Sequence, residues 1–247
     1  MAIDHVLQFP CDVRKNLPES KLRACVGYLS TAEFAIATLR REKPGVGQDE
    51  LLDDYKVGIS QRRPDGTTEQ TPVTIRHLLS LAQPLAPYRD ACGPCRANIA
   101  DRRFGCIAKI NYPVARESEE WLLSRLPDDE NEPGLSLLFR FLEDMPIDGR
   151  KVDAQRQPRL FELQQPLVRR WGNIFTGKKI TSSQILQILC FEGAIAHAQA
   201  VLYTKLLRLD SVLSDPHPPS ANIEQFKTLM CAIVMAGRLQ ATVEVDA

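Results

Sequence analysis

The chain is poor in aromatic residues: of 247 positions only two are Trp, five Tyr and nine Phe. It also lacks net charge, with 31 basic against 31 acidic residues. A nucleic-acid binder ordinarily carries a basic excess or stripe, so general nucleic-acid binding is not expected. No apolar run approaches the roughly 18 residues that span a bilayer, and no membrane segment is expected. Histidine occurs only four times, and the H-E-x-x-H, G-x-S-x-G and Rossmann glycine patterns are all missing. These absences remove the easily read enzyme classes. The first residues, MAIDHVLQFPC, have no charged start leading into an apolar stretch, so no signal peptide is expected. A cytoplasmic location follows as the expectation. In that compartment thiols stay reduced, so the seven cysteines are not read as a disulfide framework.

What the chain does have is a local concentration of thiols. Cys92, Cys95 and Cys106 fall within CGPCRANIADRRFGC. A C-x-x-C places two thiolates on one turn, and a third cysteine ten residues on can close a tetrahedral site with one further ligand. The candidate zinc ligands are Cys92, Cys95 and Cys106, with His77 as the favoured fourth. Cys11, Cys25 and Asp101 are weaker choices. An iron–sulfur cluster on the same thiols is the other metal reading.

Residues 92–95, CGPC, resemble the thioredoxin dithiol motif. The resemblance covers these four residues and implies a thiol–disulfide oxidoreductase using Cys92 and Cys95. The preceding APYRDA places Pro and charge where that family has a buried strand. A second near-motif, Gly172 to Lys179 (GNIFTGKK), departs from the phosphate-loop pattern at its last position, where Lys179 replaces the magnesium-binding hydroxyl. It is read as a glycine-containing loop with surface lysines before a helix.

Periodicity organises the rest. Residues 3–9 read as a strand stopped by Pro10. Leu22, Cys25, Val26, Leu29, Phe34, Ile36 and Leu39 recur at helical spacing from Ser20 onward. Tyr55, Val57 and Ile59 alternate before Pro64-Asp65-Gly66, which predicts a hairpin whose second strand carries Pro72. A short helix over Thr74 to Leu81 and a strand over Ile107 to Tyr112 follow. Beyond that the pattern is mostly helical: Glu117 to Leu126, Leu135 to Met145, and a last helix from about Asn222 to Leu239. The polar stretch Pro146 to Pro158 reads as an exposed linker. One long helix, capped by Thr181 or Ser182, is expected to carry Ile185, Ile188, Leu189, Ile195, Leu202, Leu206 and Leu209 on one stripe, with His197 inside it. Asp215 to Pro219, with His217, ends it.

The expected fold is α+β: a mixed strand and helix part over residues 1–115 carrying the cysteine loop, and a mainly helical part over 116–247, or both as one continuous domain. The expected function is a cytosolic, non-catalytic interaction or regulatory protein with a structural zinc site. The partner would be another protein, with homo-oligomerisation through the amphipathic helices an open alternative. The competing readings are the dithiol oxidoreductase and nucleic-acid binding through the Arg102-Arg103 loop.

Overall fold

The computed structural model describes residues 2–62, 68–100, 102–172, 177–213 and 220–247. It has an α+β fold, with two compact units: Met1–Phe9 together with Pro94–Ala247, and Pro10–Gly93. The second unit is thus an insertion in the chain of the first. The strand-rich and helix-rich halves read from the sequence describe composition along the chain, whereas these units are drawn by contact. Among the described residues no helix is long and apolar enough to cross a membrane.

The chain opens with β1 (Ala2–Gln8), the expected strand. The inserted unit then contains α1 (Asp12–Asn16), α2 (Glu19–Glu42), α3 (Gln48–Asp53), β2 (Lys56–Arg62), β3 (Thr68–Thr74) and α4 (Ile75–Leu81), followed by a 3-10 helix over Gln83–Tyr88. Pro18 sits just outside α2, where its missing N–H costs nothing. Leu22, Cys25, Val26, Leu29 and Ala32 form the buried stripe of α2, as their spacing predicts. A small core gathers Ala32, Leu52, Ile75 and Leu78. β2 and β3 pair antiparallel with Gly58 opposite Pro72. The ladder has only two strands, so each strand keeps an open edge where a proline is tolerated. The Pro64-Asp65-Gly66 turn lies outside the described residues. Arg76 of α4 reaches Asp53 (2.5 Å) and Asp49 (3.0 Å), tying α4 to α3.

The larger unit resumes with β4 (Ile107–Asn111), α5 (Arg116–Ser124), α6 (Pro133–Asp144), α7 (Arg150–Asp153), β5 (Val168–Trp171) and β6 (Lys178–Thr181). Then come α8 (Ser182–Leu186), a π-helical turn over Gln187–Phe191, α9 (His197–Leu206), α10 (Asp210–Leu213), α11 (Ala221–Leu239) and β7 (Thr242–Asp246). β1 is the centre of an antiparallel sheet ordered β4–β1–β7. α11 packs against all three strands and against α9. Ile3 and Leu7 of β1, Ile110 of β4 and Val243 and Val245 of β7 join Phe226, Leu229, Met230 and Ile233 of α11 in one core.

Three sequence expectations need correction here. Residues 168–171, 178–181 and 242–246 are strands within what reads as a helical half. The long helix expected after Thr181 is broken. Gly193 adopts a left-handed φ of 80°, and Ile195 exchanges backbone hydrogen bonds with Val243 (2.7 and 3.0 Å). His197 therefore starts α9 instead of lying inside a longer helix. Finally, Pro146 to Pro158 is no exposed linker. Ile147 and Val152 are buried in the core, and the Arg156 side chain is 2% exposed.

Candidate functional site

A buried polar cluster of the larger unit surrounds Arg156. Glu119 lies in the first turn of α5, wholly buried. Ser182 and Ser183 open α8, whose start is fixed by a capping box: Thr181 Oγ1 accepts from Gln184 N (3.2 Å), and Gln184 Oε1 accepts from Thr181 N (2.9 Å). Arg156 follows α7 and reaches into this space. Its Nη1 and Nη2 donate to Glu119 Oε1 (3.0 Å) and Oε2 (2.7 Å), a bidentate pair. Nη1 also donates to Leu163 O (2.9 Å), Nε to Ser183 Oγ (3.1 Å), and Nη2 to Ser183 Oγ (2.9 Å) and Ser182 Oγ (3.3 Å). The Ser182 hydroxyl donates to Glu119 and accepts from Leu167 N (3.0 Å), while Ser183 donates to Asp153 Oδ1 (2.6 Å). The guanidinium also lies 4.8 Å from the Phe161 ring centre.

A guanidinium has five N–H donors, and all three nitrogens here are engaged. The charge is spent inside the protein, and the two serine hydroxyls are buried with it. The arrangement can clamp α5, α7, α8 and the approach to β5 together. It presents no reacting group to a substrate, which acid–base or nucleophilic chemistry requires.

The cysteine segment is differently built. The four zinc-ligand candidates fall in different units: His77 and Cys92 in the insertion, Cys95 and Cys106 in the larger unit. His77 is exposed near the start of α4, its backbone N–H donating to the Thr74 hydroxyl (3.2 Å). Cys92 is buried, and Cys95 and Cys106 are half-buried against the large core. Asp101 lies outside the described residues. Among the described residues no three His, Cys, Asp or Glu side chains are gathered as a metal-holding group. All seven cysteines are thiols.

Described residues 89–106 form turns with no helix or strand. They are shaped by Asn98 N to Cys95 O (2.9 Å), Gly105 N to Arg102 O (3.0 Å) and Arg102 Nη2 to Ile107 O (3.2 Å). A Cβ on Gly105 would stand 2.0 Å from Asn98 Oδ1, so any larger residue there would displace that side chain. CGPC is preceded by the 3-10 helix and followed by these turns. It therefore lacks the helix N-terminus that lowers a reactive thiol's pKa in dithiol enzymes.

Cys25, Cys190 and Cys231 are core groups, and Cys11 is the half-buried residue that precedes α1. Cys25 donates to Leu81 O (3.4 Å), and burial raises its thiol pKa. Burial also pushes the Cys190 thiol far up and raises Cys231. Gly172 to Lys179 spans the β5–β6 connection, an antiparallel hairpin rather than the strand-to-helix turn of a phosphate loop. Lys178 Nζ lies 4.9 Å from the Phe139 ring centre, and residues 173–176 are outside the described set. His217 is also outside that set. His197 Nδ1 lies 3.4 Å from Ala236 O.

Sequence reasoning passed over His5. It stands in the central strand, opposite Ala108 of β4 and Val245 of β7. It is completely buried, and among the described residues neither ring nitrogen has a hydrogen-bond partner. Burial lowers its pKa to about 3, with the Arg102 charge adding to the effect, so the ring is neutral. The signal was available: alternation puts His5 on the same face as the core residues Ile3 and Leu7.

Comparison with known protein families, with curated proteins and with solved structures finds no match to this chain.

Proposed function

We propose that this chain is a non-catalytic interaction or regulatory protein of a reducing, cytosolic compartment, whose cysteine segment holds a structural zinc. The observation that carries the reading is the segment at 89–106: three thiols on a stretch whose described residues have no helix or strand of their own. Such a loop gains its folding energy most readily from a metal. Two further features support a non-catalytic role. The Glu119–Arg156 cluster is closed on itself. In addition, Leu137 of α6 and Met145, which caps the end of that helix, are 58% and 54% exposed, apolar groups available to a protein partner or a second copy.

The test is elemental analysis of protein purified without a metal-affinity column, combined with melting in the presence and absence of chelator. About one zinc per chain is expected, as in a single tetrahedral site. Cys92→Ser and Cys106→Ser should each lower the melting temperature. Both variants melting like the parent, without bound zinc, would overturn the reading. Bound iron would favour the cluster alternative. A reversible Cys92–Cys95 disulfide in metal-free protein would favour the oxidoreductase.

A further inference from the structure

We infer that the open edge of β5 is a docking site for an extended acidic peptide of a partner protein, which adds to the β5–β6 hairpin as a third strand. The inference rests on the interaction part of the reading above and not on the metal. The register supplies the first argument. Ser182 N–H donates to Leu167 O at 2.9 Å, so residues 167 and 182 form a hydrogen-bonded pair at the end of the ladder. Such pairs alternate with non-hydrogen-bonded ones along antiparallel strands. Val168 opposite Thr181 and Arg170 opposite Lys179 are therefore non-hydrogen-bonded pairs, whose backbone N–H and C=O groups point away from the partner strand. On the β6 side the outward Thr181 N–H is already taken by Gln184 Oε1 at 2.9 Å, in the cap of α8. On the β5 side no described residue bonds to the outward groups of Val168 and Arg170, and the sheet has only two strands.

The second argument is charge. Arg170 and Lys179 are both exposed and stand directly opposite each other, in the kind of pair whose side chains come closest. Like charges so placed destabilise a ladder. The nearby acidic loop does not relieve them: Asp128 reaches Arg169 at 2.5 Å, and Arg169 belongs to the opposite face of the hairpin. Among the described residues neither Arg170 nor Lys179 has an ion-pair partner. A carboxylate laid beside the pair would remove the repulsion. Cations on an edge strand also turn away other basic strands. An acidic strand is the one that fits. Val168 lies on the same face, two residues from Arg170, and is 44% exposed, so an apolar side chain next to the acidic one also finds a contact. Strand addition of this kind draws affinity from main-chain bonds and specificity from alternate side chains.

The experiment uses the full chain and a fluorescein-labelled peptide of Thr-Glu-Thr-Val repeats, about eight residues long, a common strand length. Fluorescence anisotropy at low salt measures binding, and amide hydrogen exchange locates it. The expected result is saturable binding that weakens with added salt and slows exchange at the Val168 and Arg170 amides. Arg170→Glu and Lys179→Glu should each raise Kd about tenfold, the loss expected for one charge-assisted bond. Arg170→Glu also turns the like pair into an unlike one, so its melting temperature should hold or rise, which separates lost binding from lost folding. A peptide with Lys in place of Glu, and the acidic peptide N-methylated along its backbone, should both fail to bind. No binding of the acidic peptide, or equal binding by the parent and both variants, overturns the inference. Equal binding of the N-methylated peptide overturns strand addition, since attraction of charge alone would then account for the complex. A single-stranded oligonucleotide that binds this face more tightly than the peptide overturns the choice of partner. None of these results bears on the metal content or dithiol oxidation that test the reading above, so the two fail separately.

Discussion

Replacing Glu119 by Gln would remove one charge from a pair that has almost no access to water. The carboxylate is completely buried and the Arg156 side chain is 2% exposed. In the parent, Glu119 accepts two guanidinium bonds, at 3.0 and 2.7 Å, and the Ser182 hydroxyl. A carboxamide keeps one acceptor oxygen but turns an NH2 toward groups that are themselves donors. The guanidinium stays charged, with Leu163 O, Ser182 and Ser183 as its remaining partners. Removing one partner of a buried pair costs about 3–5 kcal/mol, because the other charge is left uncompensated. At roughly 2–4 °C per kcal/mol for a chain of this size, the melting temperature should fall by about 6–20 °C. Arg156→Met should cost a similar amount for the opposite charge. The double variant Glu119→Gln/Arg156→Met should cost clearly less than the two singles added together, since no bare charge remains. Urea unfolding monitored by circular dichroism measures all three, with an unchanged slope confirming that stability alone has moved. Burial also predicts that the coupling survives about 1 M salt, where exposed pairs are screened. Single-variant losses below about 1 kcal/mol, the range of solvent-exposed pairs, or strict additivity would refute the buried-clamp reasoning.

Further outcomes follow from the same region. Thr181→Ala removes the hydroxyl that caps α8 and should cost about 1 kcal/mol in urea unfolding. Gly149→Ala places a Cβ 3.0 Å from Ser183 Cβ and 3.2 Å from Gln184 N, on a backbone with φ of 82°. The left-handed conformation alone costs about 1–2 kcal/mol, so a loss at or above that range is expected, and a neutral result would contradict the close packing of α7 on α8. Burial raises the Glu192 pKa, but hydrogen bonds from Lys151 and Gln187 and the Lys151 charge outweigh it and leave the carboxyl below its usual value. The pair's contribution is therefore present above the unfolded carboxyl pKa near 4.3 and is lost as pH falls through the lower folded value. Lys151→Ala should raise the Glu192 pKa in an NMR titration while changing stability by less than about 1 kcal/mol.

Much of the local structure was legible in the sequence. The stripe of α2, the β2–β3 alternation, the strand after Cys106 and the final helix each depend on neighbours within one or two turns, and periodicity reports such neighbours directly. β7 was not legible, because TVEVD is too short to stand apart from the helix before it. The break at Gly193 and Ile195 was hidden for a related reason. The apolar residues on either side continue a helical stripe, and only the backbone bonds to Val243, 48 positions away, show that the chain leaves the helix there.

The candidate sites divide along the same line. The three thiols and their spacing are properties of the sequence, and so is the absence of the common catalytic motifs. The sequence could not show that His5 is buried, since the residues opposite it, Ala108 and Val245, lie far along the chain. Nor could it reveal that Arg156, in a polar stretch that reads as solvent-facing, is buried. A charge enters a core when a counter-charge and acceptors meet it there, and those come from α5, α8 and the chain before β5. Composition and periodicity determined β1, the stripe of α2, the β2–β3 pair, β4 and the final helix. The tertiary structure decided which residues are neutralised inside the protein and which are left without a partner, because pairing depends on distance in space rather than along the chain.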